Sequence, residues 1–221
     1  MPRVSLHPSN RDWLCRAGPV VVLAPHPDDE TLGCGLLIAD AVRLGVQLAV
    51  VVLTDGQASH PGSLRWPPAA LGRLRRGETR RALARLGADR AALRFMGWRD
   101  GRLSEDARSL RLRALLQAIG ARTVLVSSPA DSHPDHQAAW RLARRATRGS
   151  RARLMTYAVW SRLDDAASPR TRHFAISRKR WAMQAHRSQT STYISDTPGG
   201  FVSDPLAIER LVTGTERYAH A

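Results

Sequence analysis

Short continuous apolar runs alternate along the chain with stretches in which apolar residues recur every three or four positions. The short runs predict buried strands, and the periodic stretches predict helices. Strands are expected at 20–24, 47–53, 93–96, 123–126 and 154–160. Helices are expected at 31–44, 71–86, 104–119, 137–147 and 178–187. Gly45 and Gly87 supply stops for the first two helices, and Ser104 is the expected N-cap of the third.

The alternation of strands and helices predicts an α/β fold with a Rossmann-like, mostly parallel sheet flanked by helices. A length of 221 residues suits one domain with a real core and is short for two, so residues 1–221 are expected to form a single domain. Two segments rich in proline, glycine and small polar residues, 59–70 and 190–205, are predicted loops. Loops of this length often form a lid or a substrate-binding wall.

Histidines and aspartates follow two of the predicted strands. The run 25–30 reads Pro-His-Pro-Asp-Asp-Glu, and the run 133–136 reads His-Pro-Asp-His. Because ligands of open α/β sheets lie beyond the carboxyl ends of the strands, both runs are expected at one edge of the sheet. Imidazole and carboxylate groups suit Zn²⁺, and three such ligands with an open position are typical of a catalytic site. The two runs together predict metal-assisted hydrolysis.

The spacing within the runs suggests how metal binding and proton transfer could be divided. His26 and Asp29 are three residues apart, as are His133 and His136. A set of His26, Asp29 and one distal histidine provides two imidazoles and one carboxylate. Asp28 and the other distal histidine then remain to activate a water and to stabilise an oxyanion. Spacing alone does not decide which aspartate binds the metal.

Each run also has an ordinary structural explanation. A His-Pro or Asp-Asp pair after a strand is commonly a turn or a helix cap, and acidic residues there complement the helix dipole. Either run alone would leave the two explanations level. Two runs with matching positions and complementary ligands favour the metal site.

The charge balance of the chain is strongly basic. The formal net charge is +15, and Lys179 is the only lysine. Codon bias toward arginine is the simple explanation, and an anionic partner such as a phosphate, a nucleotide sugar or nucleic acid is the functional one. Aromatic residues make up only 5% of the chain and are not interleaved with the arginines, which disfavours nucleic-acid binding.

The N-terminal residues 1–10 lack an apolar signal segment, and no apolar run approaches the roughly 18 residues that span a membrane. A cytoplasmic protein without a transmembrane segment is therefore expected. Cys15 and Cys34 form no CxxC pair, and a buried thiol is the expected state of Cys34.

Residues 24–30, Ala-Pro-His-Pro-Asp-Asp-Glu, resemble the AHPDDE-type signature of the LmbE-like, or PIG-L, family of zinc-dependent N-acetylglucosamine deacetylases. Residues 133–136 resemble the second motif of that family. Weaker similarities extend over most of the chain: 75–87 resembles the family's central helix, 97–103 its substrate-binding turn and 179–189 its C-terminal helix. The first two motifs together are highly specific, and the other three are weak individually.

The resemblance implies a division of roles within the two main motifs. Zinc would be held by His26, Asp29 and His136. Asp28 would be the general base. A protonated His133 would stabilise the oxyanion and pass a proton to the leaving amine.

Residues around these motifs also receive roles from the resemblance. Asp135 would orient His133 without binding the metal itself. Arg75 and Asp100 are candidate contacts to sugar hydroxyls or to a phosphate, with a surface salt bridge as the equal alternative. Glu30 would be structural.

The chain departs from the family pattern just before the second motif. Some family members carry a tyrosine there that helps to bind the tetrahedral intermediate, whereas residues 127–132 of this chain read Ser-Ser-Pro-Ala-Asp-Ser. Equivalent help is expected from elsewhere, such as the loop that contains Tyr193.

The leading hypothesis is a zinc-dependent amide hydrolase that removes an N-acetyl or longer N-acyl group from an amino sugar. The alternative is a metal-dependent hydratase of an acidic unsaturated substrate, because the same fold and site also resemble a hydratase branch. A protein that binds an anionic surface or nucleic acid is a third, disfavoured hypothesis. The expected partner is a small N-acylated amino sugar, and the arginine excess favours an anionic form of it.

Overall fold

A computed structural model describes residues 11–89, 91–103, 106–160, 173–214 and 216–220. The strands in this part of the chain are β1 (Val20–Ala24), β2 (Leu48–Thr54), β3 (Ala92–Trp98), β4 (Thr123–Ser127), β5 (Arg153–Tyr157) and β6 (Tyr218–His220). The helices are α1 (Arg11–Ala17), α2 (Asp29–Arg43), α3 (Pro68–Leu86), α4 (Asp106–Ile119), α5 (Pro134–Thr147), α6 (His173–Met183), α7 (Arg187–Thr190) and α8 (Pro205–Thr213).

The strands form one sheet in the order β3-β2-β1-β4-β5-β6. Neighbouring strands are parallel except for β5 and β6, which are antiparallel. This arrangement confirms the predicted α/β fold with a mostly parallel sheet. The strand order changes direction between β1 and β4, and in open α/β sheets such a switch point is where ligands bind.

Helices cover both faces of the sheet, and this arrangement explains the sequence of the central strand β1. Val20 and Val22 pack into a core with residues from α1, α2, α3, α6 and α8. Val21 and Leu23 pack into a second core with residues from α4 and α5. Because both faces of β1 are fully buried, its sequence is a continuous apolar run rather than an alternating one.

Two helices begin three residues earlier than predicted. α3 begins at Pro68 and α5 begins at Pro134. The fixed φ angle and missing N–H of proline suit the first position of a helix, where the N–H needs no partner within the helix. In α5 the earlier start places His136 in the first helical turn and makes His133 the N-cap.

The C-terminal part of the chain differs most from the prediction. The helix expected at 178–187 ends at Met183 in α6, and the short α7 follows it as a separate element. α1, α8 and β6 were not predicted, because each is too short for its periodicity to stand out from loop sequence. Ser104, the expected N-cap of α4, lies outside the described residues.

A buried ion pair joins the end of the chain to the middle of α2. Lys179 Nζ lies 2.8 Å from Glu216 Oε1 and donates to the carbonyl oxygen of Leu32 at 2.6 Å. Glu216 also accepts from the backbone N–H groups of Leu36 and Leu37 and from the hydroxyl of Tyr218. Lys179 and Glu216 are both buried, so their charges depend on each other.

None of the helices among the described residues has both the length and the apolar character needed to cross a bilayer. The cytoplasmic location expected from the sequence stays a prediction, and the N-terminal residues 1–10 on which it rested lie outside the described part.

The Lys179–Glu216 pair predicts a large effect of a small substitution. Glu216→Gln should lower the free energy of unfolding by about 3–5 kcal/mol, because it leaves a buried lysine without its counter-charge. Urea denaturation measures this loss. Glu209→Gln is the matched control, since Glu209 pairs with Arg180 on the exposed side of α6 and should cost less than about 1 kcal/mol. Equal losses in the two variants would contradict the account.

Candidate metal centre

The two histidine-aspartate runs lie side by side at the switch point of the sheet. The first run follows β1 and leads into α2, and the second run follows β4 and leads into α5. Because β1 and β4 are parallel neighbours, their carboxyl ends bring both runs to the same edge. The sequence prediction of a shared location is therefore confirmed.

The turn after β1 is held in an unusual conformation. Asp28 has a φ angle of 130°, and it is the only residue other than glycine with a positive φ among the described residues. A backbone in this region costs about 1–3 kcal/mol and persists only where the surroundings impose it. Two contacts do so here: the N–H of Asp28 donates to Glu30 Oε2 at 3.0 Å, and Arg75 Nη2 donates to the carbonyl oxygen of Pro27 at 2.7 Å.

The second run is fixed by helix capping and by one buried carboxylate. His133 Nδ1 accepts from the backbone N–H of Asp135 at 3.1 Å, which caps the first turn of α5. Asp131, which is fully buried, accepts from the N–H of His133 at 3.1 Å. The ring positions of this run therefore depend on a residue that precedes the recognised motif.

The carboxylate of Asp29 lies between two histidine rings. Its Oδ2 atom is 3.3 Å from His26 Nδ1 and 3.2 Å from His136 Nε2. The same oxygen accepts from the backbone N–H of His26 at 2.9 Å. All three side chains are buried, and they are the three ligands that the resemblance implies.

Each of these histidines contacts another carboxylate through its second ring nitrogen. His26 Nε2 is hydrogen-bonded to Asp135 at 3.2 Å and lies 3.2 Å from Asp100 Oδ1. His136 Nδ1 lies 3.1 Å from Asp131 Oδ2, an ion-pair contact that is not aligned as a hydrogen bond. Histidines that bind a metal characteristically donate their other ring N–H to a carboxylate, which fixes the tautomer and the ring orientation.

The electrostatics of the site also suit a cation. Burial alone would lower the pKa of His26, but its contacts with neighbouring carboxylates outweigh burial and raise that pKa well above its usual range. The same balance raises the pKa of His136 to about 9. Burial alone would raise the pKa of Asp29, yet His136 and His26 lower it. The carboxylates thus hold positive charge on both rings, and a divalent cation can supply that charge in place of the ring protons.

Other groupings of the same side chains could also hold an ion. The ligand atoms of His26, His133 and His136 lie within 4.8 Å of one another, and so do those of His26, Asp100 and Asp135. The second grouping has only one imidazole, whereas His26, Asp29 and His136 provide two. The structure therefore contains a histidine-aspartate group able to bind a metal.

Asp28 and Arg75 form a buried pair beside this group. Arg75 is 3% exposed and donates from Nη2 to Asp28 Oδ2 at 3.2 Å and from Nη1 to the carbonyl oxygen of Gly56 at 3.0 Å. The alternative of a surface salt bridge at Arg75 is therefore wrong, because the pair is buried, while a contact of Arg75 with substrate stays a prediction. Burial raises the pKa of Asp28 to about 7, against the opposing effect of Arg75. A carboxylate with a pKa near neutrality can both accept and return a proton at physiological pH.

His133 differs from the state that the resemblance implies. Burial, together with the nearby His26 and His136, lowers the pKa of His133 below its usual range, which favours the neutral ring over the protonated one. Since Nδ1 accepts from a backbone N–H, the proton of the neutral ring belongs on Nε2. His133 lines the cavity beside the group, so this N–H is placed as a hydrogen-bond donor.

The resemblance implies that Asp135 orients His133, but the carboxylate of Asp135 does not contact that ring. The carboxylate contacts His26 and accepts from the backbone N–H groups of Gly101 and Leu103, and only the backbone of Asp135 meets His133. The reason is the capped start of α5: Nδ1 of His133 accepts from the backbone N–H of Asp135 and so carries no proton to donate to a carboxylate. Glu30 is fully buried among hydrogen-bond donors, in keeping with a structural role.

A cavity of about 690 Å³ opens beside the group. Its lining includes His26, Asp28, Asp29, His133 and His136 together with the predicted substrate contacts Arg75 and Asp100. Both long loops contribute walls: Ser59 and Pro61 come from the first, and Gly199 and Phe201 come from the second.

Three residues of the site escaped the sequence analysis. Asp131 stands two positions before His133, and only that position next to the second motif could have marked it. Trp160 and Phe201 line the cavity from segments that carry no recognisable motif. Tyr193, the expected substitute for the missing tyrosine, is not among the lining residues, and its exposed ring packs near Trp66.

Comparison with known proteins places this site in a described family. Residues 21–147 match the model of the PIG-L family, described as GlcNAc-PI de-N-acetylase. A curated relative from Mycolicibacterium gilvum (strain PYR-GCK), named 1D-myo-inositol 2-acetamido-2-deoxy-alpha-D-glucopyranoside deacetylase, is 29% identical over 168 residues. That alignment covers 64% of this chain and 58% of the relative, so the chain spans little more than half the length of the curated protein it matches.

Solved structures share the fold more completely. The conserved protein TT1542 from Thermus thermophilus is 26% identical, with a TM-score of 0.67 over 91% of this chain and 92% of that one. The N,N'-diacetylchitobiose deacetylase from Pyrococcus horikoshii is 19% identical, with a TM-score of 0.66 over 86% and 82%. The 4-carboxy-2-hydroxymuconate hydratase GalB from a Pseudomonas putida strain is 22% identical, with a TM-score of 0.62 over 77% and 79%. The last two share the fold alone, so the fold by itself does not separate a deacetylase from a hydratase.

Because Asp131 contacts His136, we expect substitution of Asp131 to lower the affinity for a metal although Asp131 is not a proposed ligand. Asp131→Asn should weaken zinc binding about 10- to 100-fold, because the ring of His136 loses the carboxylate behind it. Competition with a chromophoric chelator measures the affinity. Asp40→Asn, at a carboxylate that pairs with Arg43 away from the site, should bind zinc as the unaltered protein does. Unchanged affinity in Asp131→Asn would show that the contact does not support the metal.

Proposed function

The chain belongs to the PIG-L family, and on that basis we propose that it is a metal-dependent hydrolase that removes an N-acetyl or longer N-acyl group from an amino sugar. The matched residues 21–147 contain both histidine-aspartate runs. The curated relative is named as a deacetylase of a 2-acetamido-2-deoxy-glucopyranoside, and the proposal carries over the class of bond that is broken.

The observation that carries the proposal is the position of Asp29. Its carboxylate contacts ring nitrogens from both runs. Asp28, the adjacent residue, lines the same cavity and is available for proton transfer. Metal ligands and a base that are adjacent in sequence but differ in environment can separate the two roles that hydrolysis requires.

We assign the metal to His26 Nδ1, Asp29 and His136 Nε2, and we propose zinc because two imidazoles and one carboxylate are a common catalytic zinc set. A metal bound there would supply a Lewis acid and a water of lowered pKa. His26 and His136 are held in place for this by the carboxylates on their other ring nitrogens.

Asp28 is assigned as the general base. Its carboxylate takes a proton from the attacking water, and its pKa of about 7 allows it to release that proton again. Arg75 contacts Oδ2 of this carboxylate and the backbone next to it, so the orientation of the base is fixed before the substrate arrives.

His133 is assigned to the oxyanion. Its Nε2–H donates to the carbonyl oxygen of the amide as negative charge develops there. Transfer of a proton to the leaving amine by the same nitrogen stays a prediction from the resemblance. Asp100 remains a candidate contact to sugar hydroxyls because it lines the cavity, with Oδ2 accepting from the N–H of Ala58 and Oδ1 lying 3.2 Å from His26 Nε2.

The arginine excess does not extend this proposal to an anionic substrate. Among the described residues that line the cavity, Arg75 is the only arginine or lysine, and both of its Nη atoms already donate to protein acceptors. An anionic substrate therefore stays a prediction from net charge alone.

The proposal treats residues 1–221 as one domain of this family. The family match ends at residue 147, and β5 then extends the same sheet by pairing with β4 along its whole length. β6 closes the edge by pairing with β5, and Glu216 next to it joins the core of α2.

Release of acid and amine tests the function directly. The protein loaded with zinc should convert at least one of a panel of N-acetylated amino sugars into equal amounts of acetate and free amine, and the chelator-treated protein should not. The panel includes free, nucleotide-linked and lipid-linked sugars. Hydration of an unsaturated dicarboxylate, with no acetate from any amino sugar, would instead support the hydratase.

Two substitutions separate the base from the ligands. Asp28→Asn should keep zinc but reduce turnover about 10²- to 10⁴-fold, because it removes the proton acceptor and spares the ligands. His136→Ala should lose both zinc and turnover. Metal content by atomic spectroscopy and kcat are measured on the same samples. If Asp28→Asn lost its metal and Asp29→Asn kept it, the two assignments would be reversed.

A further inference from the structure

Two aromatic rings stand at the solvent-accessible side of the cavity. Trp160 is 38% exposed and Phe201 is 48% exposed, and both line the cavity that contains the proposed metal ligands. Their ring centroids are 6.5 Å apart at an interplanar angle of 77°. Val202, which is 41% exposed, lines the cavity next to them. Apolar groups exposed together beside a cavity are typical of a ligand-binding surface.

The positions of both rings are tied to the rest of the site through the backbone. The N–H of Trp160 donates to Asp131 Oδ2 at 3.1 Å, and this is the same oxygen that contacts His136. The N–H of Phe201 donates to the carbonyl oxygen of Ser59 at 2.8 Å and so joins the two long loops. The backbone that carries each ring is therefore anchored to the residues around the proposed metal ligands.

The chemistry of the lining indicates what these rings would bind. Asp204 also lines the cavity, and its negative carboxylate, which caps α8 by accepting from the N–H of Leu206, disfavours an anion nearby. Arg75 lies in the buried pair with Asp28, and its Nη atoms are already engaged. An uncharged apolar group is the occupant that gains from contact with Trp160 and Phe201 without leaving a charge unpaired.

We propose that Trp160, Phe201 and Val202 form an outer subsite that binds an alkyl or aryl group carried by the substrate. The proposal rests on the proposed function, because it takes the amino sugar to occupy the part of the cavity beside His26, Asp29 and His136. The cavity of about 690 Å³ has room for a sugar ring and an attached group. The apolar group can be joined to the sugar at the anomeric carbon or through the acyl chain.

Matched substrates test the subsite and separate these two attachments. The set contains methyl and hexyl glycosides of N-acetylglucosamine, the methyl glycoside of N-hexanoylglucosamine, and the methyl glycoside of a disaccharide of N-acetylglucosamine. The hexyl glycoside and the N-hexanoyl compound, which each carry a six-carbon chain, are called the hexyl-bearing compounds here, and the methyl glycoside of N-acetylglucosamine is called the methyl glycoside. One of the two hexyl-bearing compounds should have a kcat/KM at least about tenfold above that of the methyl glycoside, since burial of several methylene groups favours binding. An equal gain for the disaccharide would overturn the assignment of an apolar occupant.

Variants locate the effect on the rings. Trp160→Ala and Phe201→Ala should each bring the ratio of hexyl to methyl kcat/KM toward one, and a ratio is independent of the fraction of active protein. Trp181→Ala is the control, because Trp181 is 54% exposed on α6 and does not line the cavity. A ratio that is unchanged in both cavity variants, or reduced equally in the control, would contradict the subsite.

Binding provides a readout that does not depend on turnover. Calorimetric titration with the same compounds should show tighter binding of the preferred hexyl-bearing compound than of the methyl glycoside, and Trp160→Ala should remove the difference. If no compound is hydrolysed but this difference is found, the proposed reaction fails and the subsite stands. If the hexyl-bearing compounds are hydrolysed but bind and react no better than the methyl glycoside, the subsite fails and the reaction stands.

Discussion

Buried negative charge at the carboxyl ends of β1 and β4 is the constraint on which the rest of the site depends. Five carboxylates are buried there: Asp28, Asp29, Glu30, Asp131 and Asp135. A buried carboxylate is tolerated only with a counter-charge or several hydrogen-bond donors. The described part of the chain provides one buried arginine, Arg75, and the histidines, whose raised pKa values at His26 and His136 show that they take up positive charge. A divalent cation would meet the same requirement, so a metal bound by these histidines would also stabilise this edge of the sheet.

The same constraint explains why Asp28 and Asp29, adjacent in sequence, have opposite properties. Asp29 faces two histidines, and its pKa is lowered, whereas burial raises the pKa of Asp28 to about 7 in spite of Arg75. Asp28 has a positive φ, and the buried Arg75 and Glu30 hold this strained turn. One residue can then bind a metal while its neighbour exchanges a proton.

The sequence was sufficient for the parts of this arrangement that repeat a regular pattern. The strands before His26 and His133 are continuous apolar runs, and their parallel pairing follows from the alternation with helices, so the shared edge could be predicted. The contacts of Asp131 and Phe201 could not, because they arise from long-range packing of loops that have no periodicity. Trp160 was expected within a strand, but β5 ends at Tyr157 and Trp160 lies beyond it. The sequence also could not show that the carboxylate of Asp135 contacts the ring of His26 and not that of His133, because this depends on the helix cap at His133. Short elements such as α8 and β6 are defined by tertiary contacts, among them those of Glu216.

The most direct measurement is a crystal structure of the zinc-loaded protein with anomalous data collected on both sides of the zinc absorption edge. The account predicts one zinc bonded to His26 Nδ1, Asp29 and His136 Nε2 at about 2.0–2.2 Å. It also predicts that Asp131 and Asp135 remain in contact with the opposite ring nitrogens and that Asp28 is not bonded to the ion. Zinc bonded to His26 Nε2 together with Asp100 and Asp135 would contradict the account.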